Sequence, residues 1–371
     1  MKPLRLPWKG RDVPYAMLDV IRGCNCVCKT CYNRTVREPK PIEQIERDLD
    51  FIFSQRRIEF VGILGGEPLL HPEITEIVRR IKARGVGAVL MTNGVLWTEK
   101  AAAELAEAGL RMAYFHIQTG QHRPDLRDSD SQEEVARLAE EKCTLARAAG
   151  IDTAVSTTVR ADRSESLRSV MESFRRNPDC SYAFLTLERS MRTIDAGEES
   201  FAATNGIDRC IEELQTLGWR PFAGIGGRVD PAKFRWLLFH AYQSLDSSGR
   251  ETGFAPVPPS ILEKLVFALY RLSGKRLPLR TDPPRWAIIA RLMLNALTGG
   301  RIGNLAFALR VLVRRDRLAV KGVFLEAFPD LLRDGRVEYC DPCLDAVVKD
   351  GRFVPACLSD TEFAKEALPC G

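Results

Sequence analysis

Apolar residues in the first 220 positions of the chain switch repeatedly between two spacings. Short dense runs at 16–21, 58–64, 88–92, 112–117, 151–159 and 182–187 read as buried strands. Between them lie stretches with one apolar face at helical spacing. In 41–54 that face is Ile42, Ile45, Leu49 and Ile52, and similar faces occur in 72–84, 98–108, 131–149, 164–176 and 205–217. Six strand-then-helix units joined by short Gly, Asn or Pro connections demand a parallel sheet, because each crossover helix returns the chain to the same edge. Six units suit an open partial barrel. Ligands of parallel sheets collect at the carboxyl ends of the strands.

Past residue 220 the rhythm changes. Gly224–Gly227 and the proline-rich 255–259 read as linkers. Apolar helical segments follow at 261–272 and 286–297, separated by the proline-broken 278–284, and another covers 302–314. The expected organisation is a barrel over 1–220, a linker and helical substrate or lid region over 221–335, and a short cysteine-rich segment over 336–371.

The chemistry begins on the loop after the first strand, where Cys24, Cys28 and Cys31 stand in a Cys-x3-Cys-x2-Cys pattern. Three thiolates so spaced can each hold one iron of a [4Fe–4S] cubane, leaving the fourth iron open to a small molecule. The alternative is a tetrahedral zinc site. Cys26 fits no position of the three-cysteine pattern and reads as a neighbour. Gly65-Gly66-Glu67-Pro68 directly follows the second strand, and Thr92-Asn93-Gly94 ends the third. The two glycines let backbone groups approach a ligand closely; an Asn-Gly turn is the plain reading of the second motif.

Side chains alternate across a strand. Tyr114, His116 and Gln118 therefore share one face of the fourth strand, and Phe115 and Ile117 pack on helices. The same parity groups Ser156, Thr158 and Arg160 on the fifth strand, and Thr186 with Glu188 on the sixth. These polar sets are candidates to touch ligand, although buried polar residues are often merely satisfied.

A second cysteine set closes the chain. Cys340-Asp-Pro-Cys343 is followed by an apolar hairpin with an Asp350-Gly351 corner, then Cys357, with Cys370 as a candidate fourth ligand. This is a metal knuckle, with zinc again the alternative to a cluster. Cys143, Cys180 and Cys210 are isolated and read as small core residues.

Composition adds modestly. The 371 residues are 45% hydrophobic and 28% charged, as expected of a globular protein. Eleven cysteines without an apolar leader at the N-terminus argue for metal ligation in a reducing, cytoplasmic setting over disulfides. The net charge of +5 names no partner, and no nucleic acid is expected. From Arg285 to Arg315, however, there are six arginines and no acid, flanking apolar stripes built on Trp286, Ile289, Leu292, Met293 and Leu297 and on Leu305, Ala308, Leu309 and Leu312. That is an ordinary pair of lid helices or a surface for anionic lipid, a peripheral contact through 285–317. No apolar run is long enough to cross a membrane.

The first cysteine motif, with Gly65–Pro68 behind it, resembles the signature of the radical S-adenosylmethionine (SAM) superfamily. The second set is similar to the auxiliary-cluster segments of its twitch and SPASM members, including the molybdenum-cofactor biosynthesis protein A type. The resemblance implies an α/β fold, a partial (β/α)6 parallel barrel. It implies a SAM-binding [4Fe–4S] cluster on Cys24, Cys28 and Cys31, and a second [4Fe–4S] cluster on Cys340, Cys343, Cys357 and Cys370. Gly65, Gly66, Glu67 and Pro68 would hold the methionyl amine of SAM, with Asn93, Gln118, Ser156 and Arg160 as further cofactor contacts. The implied activity is reductive cleavage of SAM to a 5′-deoxyadenosyl radical that abstracts hydrogen from an unactivated carbon. A flavodoxin or ferredoxin would supply the electron, and the substrate would be a small molecule or a peptide, or else a membrane lipid or long-chain phosphorylated compound. No side chain is required as acid or base. Two departures stand out. Thr30 replaces the usual aromatic before the third cysteine, and Leu344, Asp345 and Ala346 stand where the molybdenum-cofactor type has nucleotide-binding arginines, so that substrate is not implied. The reading from another class is a non-catalytic zinc or Fe–S scaffold or redox sensor.

Overall fold

The structure, a computed structural model, describes residues 2–28, 31, 33, 38–127, 131–159, 164–187, 201–275, 277–278, 283–332 and 334–361, the side chains of 164–166 and 201–206 excepted. Strand β1 (Leu4–Arg5) precedes the repeating part: β2 (Tyr15–Ile21), α1 (Ile42–Gln55), β3 (Phe60–Gly65), α2 (Ile74–Ala83), β4 (Gly87–Thr92), α3 (Glu99–Ala108), β5 (Leu110–His116), α4 (Gln132–Ala148), β6 (Asp152–Val159), α5 (Ser164–Arg176), β7 (Tyr182–Leu187) and α6 (Phe201–Thr216). Strands β2 to β7 pair in parallel and in chain order, as in the expected partial barrel. The helices bury the faces read from the sequence, Ile45, Leu49 and Ile52 on α1 and Ile74, Ile77, Val78 and Ile81 on α2. Local chemistry fixes their ends. Thr98 Oγ1 accepts from Ala101 N–H at 3.1 Å to start α3, and Gly109, at φ 97°, stops it.

The sheet does not stop near residue 220. It continues through β8 (Pro221–Gly227), β9 (Phe234–Leu245), β10 (Glu251–Pro256) and, after three helices, β11 (Arg317–Glu326). The order is β1-β8-β9-β11-β7-β6-β5-β4-β3-β2, with β11 parallel to β7 and antiparallel to β9. Gly224–Gly227, read as a linker, is thus a buried strand end, and 255–256 belongs to β10. The glycines are there for closeness: a Cβ on Gly224 would lie 2.4 Å from the Trp236 carbonyl of β9. Strand β9 is buried on both faces, so its sequence lacks the alternation that marks a half-exposed strand.

Helices α7 (Ile261–Ser273), α8 (Arg285–Leu297) and α9 (Gly303–Arg314) lie outside β8–β10. The single apolar stripe expected on α8 divides in two. Ile289 and Leu292 face inward with Ile288, while Trp286 and Leu297 are exposed. The C-terminal segment adds β12 (Asp330–Leu331), β13 (Val337–Glu338), β14 (Cys340–Asp341), and the hairpin β15 (Ala346–Lys349) and β16 (Arg352–Pro355), whose Asp350-Gly351 corner has φ 50° and 68° as an Asp-Gly turn requires.

Lys321 of β11 locks the added strand to the repeating part. Fully buried, its ammonium donates to the carbonyls of Phe174 (3.1 Å), Asn177 (2.6 Å) and Cys180 (2.6 Å), the first of them in the last turn of α5. Lys321→Met removes all three donors while roughly keeping volume. We predict a loss of at least about 2 kcal/mol in denaturant unfolding, and an unchanged midpoint would contradict this role.

Candidate functional site

The cysteine loop leaves β2 at Ile21 and is held by backbone. Gly66 N–H donates to Ile21 O (2.7 Å) and Glu67 N–H to Gly23 O (2.8 Å). A Cβ on Gly65 would sit 2.0 Å from Ile21 O, and one on Gly66 would sit 2.2 Å from Gly23 O. The sequence suggested that these glycines let backbone approach a ligand. What they approach in the structure is the root of the cysteine loop.

Glu67 is wholly buried and does the joining. Its carboxylate accepts from Thr92 Oγ1–H (2.7 Å), Asn93 N–H (2.7 Å) and Leu69 N–H (3.0 Å). Burial pushes its pKa up, and these hydrogen bonds act against that shift. Asn93 then turns its amide to Asn25 Oδ1 (2.7 Å), with Cys24 Sγ 3.7 Å away. One chain of contacts therefore runs from the Gly-Gly-Glu-Pro loop through the end of β4 to the first cysteine. Pro68 opens the short helical turn Pro68–Leu70 beneath Glu67.

Cys24, Cys26, Cys28 and Cys31 line a cavity of about 330 Å³ at the carboxyl ends of the strands, together with Gly65, Gly66 and Asn93. Its walls carry Tyr114 and His116 from β5, Ser156 and Thr158 from β6, and Thr186 from β7, the polar sets picked out by strand parity. Gln118 lies apart. Strand β5 ends at His116, and the Gln118 side chain accepts from Thr158 N–H at 2.5 Å, outside the cavity lining. Gln121, which the sequence reading passed over, lines the cavity instead, its amide donating to His116 O at 3.0 Å and its carbonyl accepting from Arg123 at 2.9 Å. Arg160, Glu188, Thr30 and Cys370 fall outside the described residues.

The second cysteine set faces the same space. Cys340, Cys343 and Cys357 line the cavity, with Tyr15, Trp236, Phe324, Glu326 and Asp345 beside them. Two barrel arginines fix this segment. Arg56 donates to Cys343 O (2.9 Å) and lies 4.1 Å over the Phe353 ring. Arg22, next to the cysteine loop, donates to Ser359 Oγ (3.0 Å) and pairs with Asp19 (2.6 Å) and Asp360 (3.3 Å). Asp345, the position where an arginine was absent, is pushed up to about 6 by burial against the opposing pull of Tyr15 and Arg56. Glu326 is raised by burial and then by Asp345, and it accepts from Trp236 Nε1–H at 2.8 Å. No motif marks Glu326, Arg235 or Tyr15 in the sequence; the added strands β11 and β9 bring the first two to the cavity, and Tyr15 opens β2.

The donor set suits iron–sulfur clusters. Burial first, then the neighbouring thiols, pushes Cys28 up to about 12, so its thiol holds a proton that a bound cation displaces. Among the described residues no three thiol, imidazole or carboxyl groups converge closely enough to hold one ion. A cubane takes one thiolate per iron and does not require that convergence.

Residues 18–173 match the family described as the Radical SAM superfamily. That superfamily uses a [4Fe–4S] cluster and SAM. A GTP 3′,8-cyclase of Chlorobaculum tepidum is 37% identical over 109 residues, 27% of this chain and 32% of its own length. A tungsten-containing aldehyde ferredoxin oxidoreductase cofactor-modifying protein of Pyrococcus furiosus is 32% identical over 113 residues, covering 28% and 30%. The chain thus spans about a third of the length of these curated relatives. Among solved structures, SuiB of Streptococcus suis bound to S-adenosylmethionine superposes with a TM-score of 0.43 at 16% identity, covering 56% of this chain and 48% of that one.

Two predictions follow from the geometry. Gly66→Ala drives a methyl into Gly23 O, so the cysteine loop must move at a cost of about 1–3 kcal/mol; anaerobically reconstituted protein should lose up to about half of its iron, the second cysteine set being untouched, and wild-type loading would refute the contact. His116 is the second. Its Nδ1 meets Ser156 Oγ at 2.8 Å, and burial, then Arg123, lowers its pKa to about 4. Its neutral form is favoured by the fold, so stability is complete above about pH 6.5 and is lost as pH falls toward 4, by at most about 3 kcal/mol. His116→Gln should flatten that acid limb of the stability profile.

Proposed function

We propose that the chain is a radical SAM enzyme acting on a small molecule or a peptide held in the cavity between the two cysteine sets. Cys24, Cys28 and Cys31 would hold the first cluster, and Cys340, Cys343 and Cys357 a second, with Cys370 as its further candidate. With SAM bound, the first cluster supplies a 5′-deoxyadenosyl radical for hydrogen abstraction from an unactivated carbon. The protein's part is placement. Gly65, Gly66 and Asn93 face the cofactor side of the cavity, while Glu67 acts through Asn93, whose position it fixes. Ser156, Thr158, Thr186 and His116 offer hydrogen bonds on the barrel wall, and Phe184, Phe324 and Trp236 supply an apolar, aromatic one that excludes water. A flavodoxin or ferredoxin is the expected reductant.

The observation that supports this reading is the sharing of one cavity by both cysteine sets at the ligand end of a parallel sheet. A lipid or long-chain phosphorylated substrate is the second reading, favoured by the exposed apolar residues of α7–α9. A zinc or Fe–S scaffold would account for the cysteines without needing the cavity.

Cys28→Ala tests the proposal. Wild-type protein reconstituted anaerobically should carry about eight irons and form 5′-deoxyadenosine under reduction; the variant should keep about four and form none above background. Deoxyadenosine formation by the variant would overturn the assignment, and zinc without iron in the wild type would favour the scaffold.

A further inference from the structure

Helices α7, α8 and α9 each bury one face and leave a second apolar stripe uncovered. On α7 the open stripe is Ile261, Leu265, Leu269 and Leu272, spaced by four, four and three residues along one side. On α8 it is Trp286, Leu294 and Leu297, and on α9 Leu309, Leu312 and Val313. Exposure is high where it matters: 85% at Leu272, 72% at Trp286 and 84% at Val313. Because α8 packs on both neighbours and the buried faces meet the sheet, the open stripes lie on the outer side. Phe267 reaches Phe222 of β8 at 5.9 Å, and Phe307 lies against Gly253 of β10. An apolar surface spread over three adjacent helices exceeds the scatter of single exposed residues normal for a soluble chain.

The exposed charge on these helices has one sign. Lys264, Arg301, Arg314 and Arg315 are exposed on or beside these helices, and among the described residues of 261–315 the single acid, Glu263, is buried against Ser260 and Asn295. We infer that this face docks the protein on the surface of an anionic lipid bilayer, the apolar stripes entering the headgroup boundary and the cations meeting lipid phosphates. Trp286 at the start of α8 suits that boundary, where amphipathic aromatics concentrate. The helices span 13, 13 and 12 residues, too few to cross a bilayer, and lie flat instead. Pairing two copies through this face would set like charges against like, which disfavours a symmetric dimer. The inference does not depend on the radical chemistry proposed for the cavity.

The full chain supplies its own probe. Trp8, Trp97, Trp219 and Trp236 are buried, so a change in emission on adding vesicles reports Trp286. With phosphatidylcholine vesicles containing phosphatidylglycerol, emission should shift to the blue and the protein should co-sediment; phosphatidylcholine alone, or high salt, should weaken this. Leu272→Glu combined with Leu297→Glu, both on the outer stripe, should bind at least about tenfold more weakly while keeping wild-type iron content and deoxyadenosine formation. No association with either vesicle, equal binding to both, or self-association broken by the double variant without vesicle binding would each overturn the inference.

Discussion

A single buried carboxylate sets the geometry on which the rest of the site relies. Glu67 accepts three hydrogen bonds from two loops, and the residue it orients, Asn93, reaches the first cysteine loop. Burying a carboxyl group is costly unless it is hydrogen-bonded, and here every donor comes from a segment that must be positioned anyway. The glycines before it then bring that loop within backbone hydrogen-bond reach of Ile21 and Gly23. The cysteines thus emerge from a frame anchored to two neighbouring strands, which a mobile surface loop could not provide.

The second consequence is spatial. Parallel strands end together, so whatever follows them shares one mouth. Strand β11 enters the sheet parallel to β7, and that brings Glu326 into register with Thr186 at the same end. Arg22 and Arg56 then tie the C-terminal cysteine segment to the barrel. The result is a cavity whose two sides differ. Hydroxyls and a neutral imidazole line the wall from β5 to β7, whereas Tyr15, Glu326 and Asp345 lie beside the second cysteine set. A substrate there would meet both sides at once, which is how a site distinguishes one end of a molecule from the other.

Much of this was legible in the sequence because the repeating units obey strict spacings. Strand–helix alternation located β2 to β7, and parity aimed Tyr114, His116, Ser156, Thr158 and Thr186 at one cavity. Parity failed at Gln118 because the strand ends two residues earlier, after which the backbone turns. The strands β8, β9 and β11 were missed for a different reason. Phe234–Leu245 is buried on both faces and so reads as an unpatterned apolar run, and Arg317–Glu326 follows an arginine-rich helix without a break. Glu326 and Arg235 were invisible with them, since a lone charged residue carries no spacing. The stripe on α8 was read as one face because a helix with apolar residues on two sides gives no single period to separate them.

Radical SAM chemistry at this site would require an iron left open by three thiolates and reachable from the cavity. Electron paramagnetic resonance of the reduced, iron-loaded protein with and without SAM tests that directly. A cluster on Cys24, Cys28 and Cys31 should change its spectrum when SAM is added, because the added molecule binds the cluster itself. A spectrum unaltered at saturating SAM would contradict the claim.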